Sequence, residues 1–137
     1  STNENEHQAI SEMLTRMVTF ARSHDLHIWF IAHPAKMRAS DSGKFPIPNG
    51  NHISGSAAWF AKCDCGITVH RQDEHIEVHS WKSRFKWVGA VGMAELNYNF
   101  VNGRYSDRVH QAEQSRYPDA PSRSFQQPSF IAAIRFL

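Results

Sequence analysis

The chain opens on a helical pattern. Over residues 4–24 the apolar positions Ile10, Met13, Leu14, Met17, Val18 and Ala21 recur at i, i+3, i+4 and i+7, giving a helix one apolar face. Ser1 with Glu4, or Asn3 with Glu6, offers a capping box at its start. The pattern fades at RSHD, and LHIWFIA (26–32) follows, β-branched and aromatic and apolar apart from His27. A strand this uniform is expected to be buried on both faces, as in the centre of a parallel sheet covered by helices. Helix then buried strand reads as the second half of a βαβ unit, with a further strand expected before Ser1.

Residues 34–53 break the periodicity. They are rich in Gly, Pro, Ser and Asn, and a connection near 20 residues inside a compact domain is commonly functional or disordered. SGSAAWFAKCD (54–64) reads as a short helix, CGITVHR (65–71) and HIEVHSWKSRF (75–85) alternate as strands, and MAELNYNFVNGRYSD (93–107) is a hairpin with Asn102-Gly103 at its turn. From Ser106 the sequence turns polar, aperiodic and rich in Pro, Ser and Gln, so the domain is expected to cover 1–106 and a flexible tail 107–137. The closing FIAAIRFL is apolar. Three readings of it stay open: docking on the domain, docking on a partner, or a stretch that is not native coding sequence.

Composition narrows the classes. The chain has 137 residues, 41% of them hydrophobic, enough for one domain with a core. A formal charge of +2 gives no overall basic field, so any nucleic-acid argument rests on local clustering. Cys63 and Cys65, two positions apart, close at best a strained disulfide, and the chain reads as reduced and cytoplasmic. No apolar run is long enough to span a bilayer.

Three sets of side chains are candidates for chemistry. His33 ends the buried strand, where ligands of open α/β sheets bind. It either caps the strand against local backbone or senses a ligand phosphate. Lys36, Arg38 and Lys44 crowd the long loop against Asp41 alone, as a solvated loop or as a track along a phosphate backbone. Lys82 and Arg84, two apart on a strand, share a face, as surface cations or as a pair aimed at phosphate, with the guanidinium fork suited to bidentate contact. A weaker zinc alternative brings together His70, His75 and His79 if 65–71 and 74–80 form a hairpin, with Cys63 or Cys65 added.

In order and spacing, FARSHDLHIWFIAHPAK, ISGSAAWFAKCDCGITVHR and VHSWKSRFKWVGAVGMAELNYNFVNGRY resemble the C-terminal half of the RecA-like motor of DnaB-superfamily replicative helicases, in particular Twinkle and the phage primase–helicases. The resemblance covers about residues 5–106. It implies an α/β fold, part of a RecA-like P-loop NTPase, with a mostly parallel sheet and a C-terminal hairpin. By position, it implies that His33 senses the terminal phosphate of ATP and that Lys82 and Arg84 reach the neighbouring subunit's ATP. It further implies that Lys36, Arg38 and Lys44, with Ser54, Gly55 and Ser56 ahead of the short helix, contact single-stranded DNA. The implied cofactors are ATP and Mg2+ in a complete protein, and the implied partners are single-stranded DNA and identical subunits in a ring, expected to be a hexamer.

Two departures stand out. No G-x-x-x-x-G-K-[ST] occurs, and no strand ending in Asp precedes the first helix. The chain is therefore expected to be a piece of such a motor, cut after its magnesium-positioning strand, that does not bind ATP tightly or hydrolyse it alone. The setting expected for it is the cytoplasm of a bacterial or phage-infected cell. A non-catalytic module for single-strand binding or oligomerisation, and a zinc-stabilised structural domain, are the alternatives from other classes.

Overall fold

A computed structural model describes residues 2–53, 57–72, 74–108 and 131–136, the last by backbone alone. Helix α1 (Thr2–Ser23) carries the predicted stripe. Leu14 and Ala21 are buried, Ile10, Met17 and Val18 pack beside them, and Met13 turns outward. The helix begins at Thr2, so Asn3 lies in its first turn and does not cap it. It ends in a Schellman arrangement: the Leu26 amide donates to the Ala21 carbonyl (3.0 Å) and the Asp25 amide to that of Arg22 (3.4 Å). This geometry needs a left-handed residue, and Asp25 adopts φ 51°, where glycine is usual.

The remaining elements are β1 (Ile28–Ala32), a 3-10 turn at Gly50–His52, α2 (Ala58–Lys62), β2 (Cys65–Arg71), β3 (Ile76–Ser83), β4 (Gly92–Asn99), β5 (Arg104–Asp107) and β6 (Ile131–Phe136). The strands form one sheet in the order β1-β6-β2-β3-β4-β5. The α/β class holds, but the mostly parallel sheet does not, because every neighbouring pair is antiparallel. Two causes combine. The β2–β3 and β4–β5 connections are short turns, which only antiparallel neighbours can use. In addition, β6 enters between β1 and β2, antiparallel to both. It follows that β1 and β2 run in the same direction yet do not touch as strands.

β6 also revises the tail. Ile131–Phe136 is a strand inside the sheet, and the first position of the expected tail, Asp107, closes β5. The stretch between, 109–130, lies outside the described residues. The β4–β5 hairpin forms where Asn-Gly marked it, but with a four-residue turn. Gly103 takes φ 71°, and the Asn99 side chain accepts from the amides of Val101 (2.8 Å) and Asn102 (3.3 Å).

The expectation that β1 is covered on both faces is corrected. Its burial alternates: Ala32 packs into the core with Ile28 and Phe30 beside it, while Trp29 and Ile31 are 56% and 64% exposed. Both described helices lie on one side of the sheet, where Leu14, Ile53, Trp59 and Cys63 close the core and Phe30 meets Trp59 at 4.6 Å. A bulge at Gly66/Ile67 sets Trp81 over Gly66, where a β-carbon would fall 2.1 Å from the indole ring. Gly66 is thus the residue that admits the tryptophan.

Candidate functional site

The long loop is an ordered excursion. Pro34 bridges to Ile53, and the Ala35 amide donates to the His52 carbonyl at 2.7 Å, so its two ends are pinned together. At the far end Gly43, at φ 76°, turns the chain between Ser40 and Lys44, with the Ser40 amide 2.8 Å from the Lys44 carbonyl. The returning arm is held by buried Pro48. Its carbonyl accepts from the Thr68 hydroxyl (2.7 Å), which in turn accepts from the Trp81 indole (3.0 Å). The Asn49 side chain caps the 3-10 turn through the Asn51 amide (2.9 Å). Lys36, Arg38 and Lys44 are all exposed on this anchored loop. Ser54, Gly55 and Ser56 lie outside the described residues, and the helix expected over 54–64 is seen as Ala58–Lys62.

His33 sits exposed at the root of the loop, one residue past β1. Among the described residues no hydrogen-bond partner engages its ring, so the strand-capping alternative finds no bond there.

Lys82 and Arg84 do share a side, and both reach the C-terminal end of α2. The Lys82 ammonium donates to the carbonyls of Phe60 and Ala61 and lies 5.1 Å from the Phe60 ring centre. Arg84 donates to the Ala61 carbonyl (2.9 Å) and pairs with the fully buried carboxylate of Asp64 (2.9 Å). The open carbonyls of a helix end carry partial negative charge, which explains why two cations collect there.

The register fixes how far apart these groups lie. Lys82 is in the row Lys82–Gly66–Ile134–Phe30, whereas His33 follows Ala32, three residues further along β1. Three interstrand steps and three residues of rise put the two backbones roughly 17 Å apart. The structure therefore does not bring His33 together with Lys82 and Arg84. Two shallow hollows dent the sheet, of about 380 Å³ beside Pro48 and Trp81 and about 170 Å³ beside Trp29 and Lys82, and neither is lined by His33 or Arg84.

Sequence reasoning only half anticipated one cluster. β2 and β3 do form the hairpin that the zinc alternative needed, with the Gln72 amide 2.9 Å from the His75 carbonyl. His70 stands opposite Glu77, and Glu77 opposite Glu95, in one row across three strands. The histidines turn to carboxylate: His79 Nε2 lies 2.7 Å from one Glu77 oxygen, and His75 Nε2 lies 3.3 Å from the other and 3.7 Å from Glu95. Among the described residues no set of three or more His, Cys, Asp or Glu is arranged to hold a metal. Burial pushes the Cys63 thiol up to about 11, which disfavours the thiolate that a zinc ligand requires. Burial holds His70 below its ordinary value, with Glu77 pulling the other way. Burial raises Glu77, but hydrogen bonds from His79, Gln72 and His75 outweigh it and keep the carboxyl below its usual range. The alternation His-x-Glu-x-His at 75–79 was the signal for this network, and Glu77 was the part overlooked.

No family model matches the chain, and no solved structure does. Among curated proteins it is 40% identical over 111 residues to a Twinkle homolog protein, chloroplastic/mitochondrial, of Arabidopsis thaliana. The match takes in 76% of this chain and 15% of the relative's length. The organelles in that name differ from the bacterial or phage-infected cytoplasm expected above. Among the described residues no helix is long and apolar enough to cross a membrane. At this identity the chain is related to the Twinkle helicases and corresponds to a short part of such a protein, as its resemblance to the DnaB superfamily implied.

Proposed function

We propose that this chain is a portion of a RecA-like DNA helicase motor, in which ATP held between identical subunits of a ring drives movement along single-stranded DNA. The observation that carries this reading is the separation of its two candidate phosphate-facing groups in a chain related to Twinkle. A subunit that senses its own nucleotide at one place and completes its neighbour's at another needs those groups apart. His33 and the Lys82–Arg84 pair, roughly 17 Å apart across the sheet, meet that need. His33 is the sensor of the terminal phosphate. The loop rooted on it, pinned through Pro34 and Ile53, carries Lys36, Arg38 and Lys44 toward the DNA backbone. Such a loop transmits a shift at its root to its tip. Arg84 and Lys82 stabilise charge on the nucleotide of the adjacent subunit. ATP and Mg2+ belong to the assembled motor, whose phosphate cradle this chain does not supply.

One observation favours a second reading. Lys82 and Arg84 already hold the end of α2, which is what purely structural cations would do. The chain would then serve as a non-catalytic module that binds single strands or joins subunits.

The loop assignment is tested by the salt dependence of single-strand binding, measured by fluorescence anisotropy on the ring-forming protein that contains this segment. Affinity should fall steeply with salt. Changing Lys36, Arg38 and Lys44 together to Ala should flatten the log–log slope by about 0.7 for each phosphate no longer neutralised. Sequence preference should be slight, because the loop offers charge without a base-reading set. An unchanged slope and affinity would reduce the loop to a solvated connection.

A further inference from the structure

We propose that the place between β1 and β2 is a strand-acceptor slot in which β6 of one copy can be replaced by β6 of a second copy, giving a strand-exchanged dimer. This holds whether or not the chain belongs to a motor. β6 is the last strand of the chain yet sits inside the sheet, bonded along β1 on one side and β2 on the other. Without it, two unpaired strand edges would face each other across two interstrand spacings, about 10 Å, which is the room one extended segment occupies. The slot has walls independent of β6. β1 is held by Ile28 and Phe30 against α1 and α2, and β2 by its pairing with β3.

The connection does not dictate whose strand fills the slot. From β5 to the slot is four interstrand steps, about 19 Å, whereas the 23 residue steps from Arg108 to Ile131 can span up to about 75 Å. A second copy of this chain is the occupant that matches the slot in sequence and register, since its β6 is identical. Exchange of an identical element adds no new interface and leaves every strand pairing satisfied. The chain's own strand competes at an effective concentration on the order of millimolar or below. Exchange should therefore grow with protein concentration during folding.

The register supplies a reporter. Arg135 is the Cα partner of Cys65, so an Arg135→Cys substitution places a thiol directly across from a native one, within disulfide reach. Unlabelled and 15N-labelled copies of this full-length variant are denatured under reducing conditions and mixed. They are then refolded together at about 1 µM or about 500 µM, the first far beneath and the second approaching the millimolar scale of the chain's own strand, and oxidised after dilution. Peptides linking positions 65 and 135 are read by mass spectrometry. The proposal expects mixed-isotope linked peptides at the higher concentration, at least tenfold above the lower, in a fraction of dimeric mass. Copies refolded separately and then mixed should give none. It is overturned if linked peptides are always of one isotope, since each chain then keeps its own strand. It is equally overturned if separately refolded copies give mixed peptides at the same level, which would be random collision, or if no 65–135 link forms, which would remove β6 from beside β2.

Discussion

Arg84 is the side chain in which an observed structural contact and the proposed catalytic role have to be told apart. Its guanidinium answers a carboxylate with no solvent exposure, and removing it deprives the buried Asp64 of that ion pair. Breaking a fully buried pair costs about 3–5 kcal/mol, and less here because Arg84 is itself 36% exposed. Arg84→Ala alone therefore confounds folding with turnover. Arg84→Lys separates them, since it keeps a positive charge near Asp64 but loses the planar fork. In the ring that the proposed function requires, Arg84→Lys should melt close to wild type while ATP turnover falls roughly 10²–10³-fold, approaching the scale of arginine-finger loss. Mixing it with subunits defective in the phosphate cradle should restore part of the activity at mixed interfaces. Wild-type turnover in Arg84→Lys rings would falsify the catalytic role, and lost activity that mixing never rescues would confine the residue to its own subunit.

Among the elements, the β2–β3–β4 surface carries the pH dependence. His70 is held below its ordinary value of 6.5 mainly by burial, so between its folded value and 6.5 the unfolded chain binds more protons. Its contribution is complete above pH 6.5 and is lost as pH falls. Glu77 is held below its ordinary 4.5, so its contribution is complete above 4.5 and is lost as pH falls through its folded value. Both act in one direction, and Glu95, Glu74, Arg108, His75 and His79 surround them. The urea midpoint should decline in two stages, first below pH 6.5 and again below 4.5. His70→Gln should flatten the first stage and leave the second. A midpoint that stays level from pH 7 to 5.5 would discount His70 as a titrating group. This network was partly legible in advance, because the hairpin expected over 65–71 and 74–80 placed His70, His75 and His79 on one face, while Glu77 between them was passed over. What periodicity could not supply was the partner across the sheet, so the histidines read as a metal set. The α1 stripe and the Asn-Gly turn, by contrast, are local signals and emerged close to where they were expected.

At the scale of the whole molecule, the sequence misled on the sheet. Seven nearly continuous apolar residues at 26–32 satisfied the pattern of a doubly covered strand, but a pattern reports what a strand can bury and not what is present to cover it. β6 was illegible for a related reason: six residues after a long polar stretch carry no mark of the strands they will join. The exposed apolar side chains among the described residues have a calorimetric consequence. Trp29, Ile31, Trp87, Val91 and Met93 are each more than half exposed in the folded chain, so unfolding hydrates less new apolar surface than the chain length implies. The heat-capacity increment should fall below the roughly 12–15 cal/mol/K per residue of ordinary domains. The stability curve should be correspondingly flat, with little change in free energy across the physiological range. Scanning calorimetry at several pH values gives the increment as the slope of unfolding enthalpy against melting temperature. A slope at or above the ordinary range would mean that something covers Trp29 and Ile31 in solution, and a slope that rises with protein concentration would identify the cover as another copy of the chain.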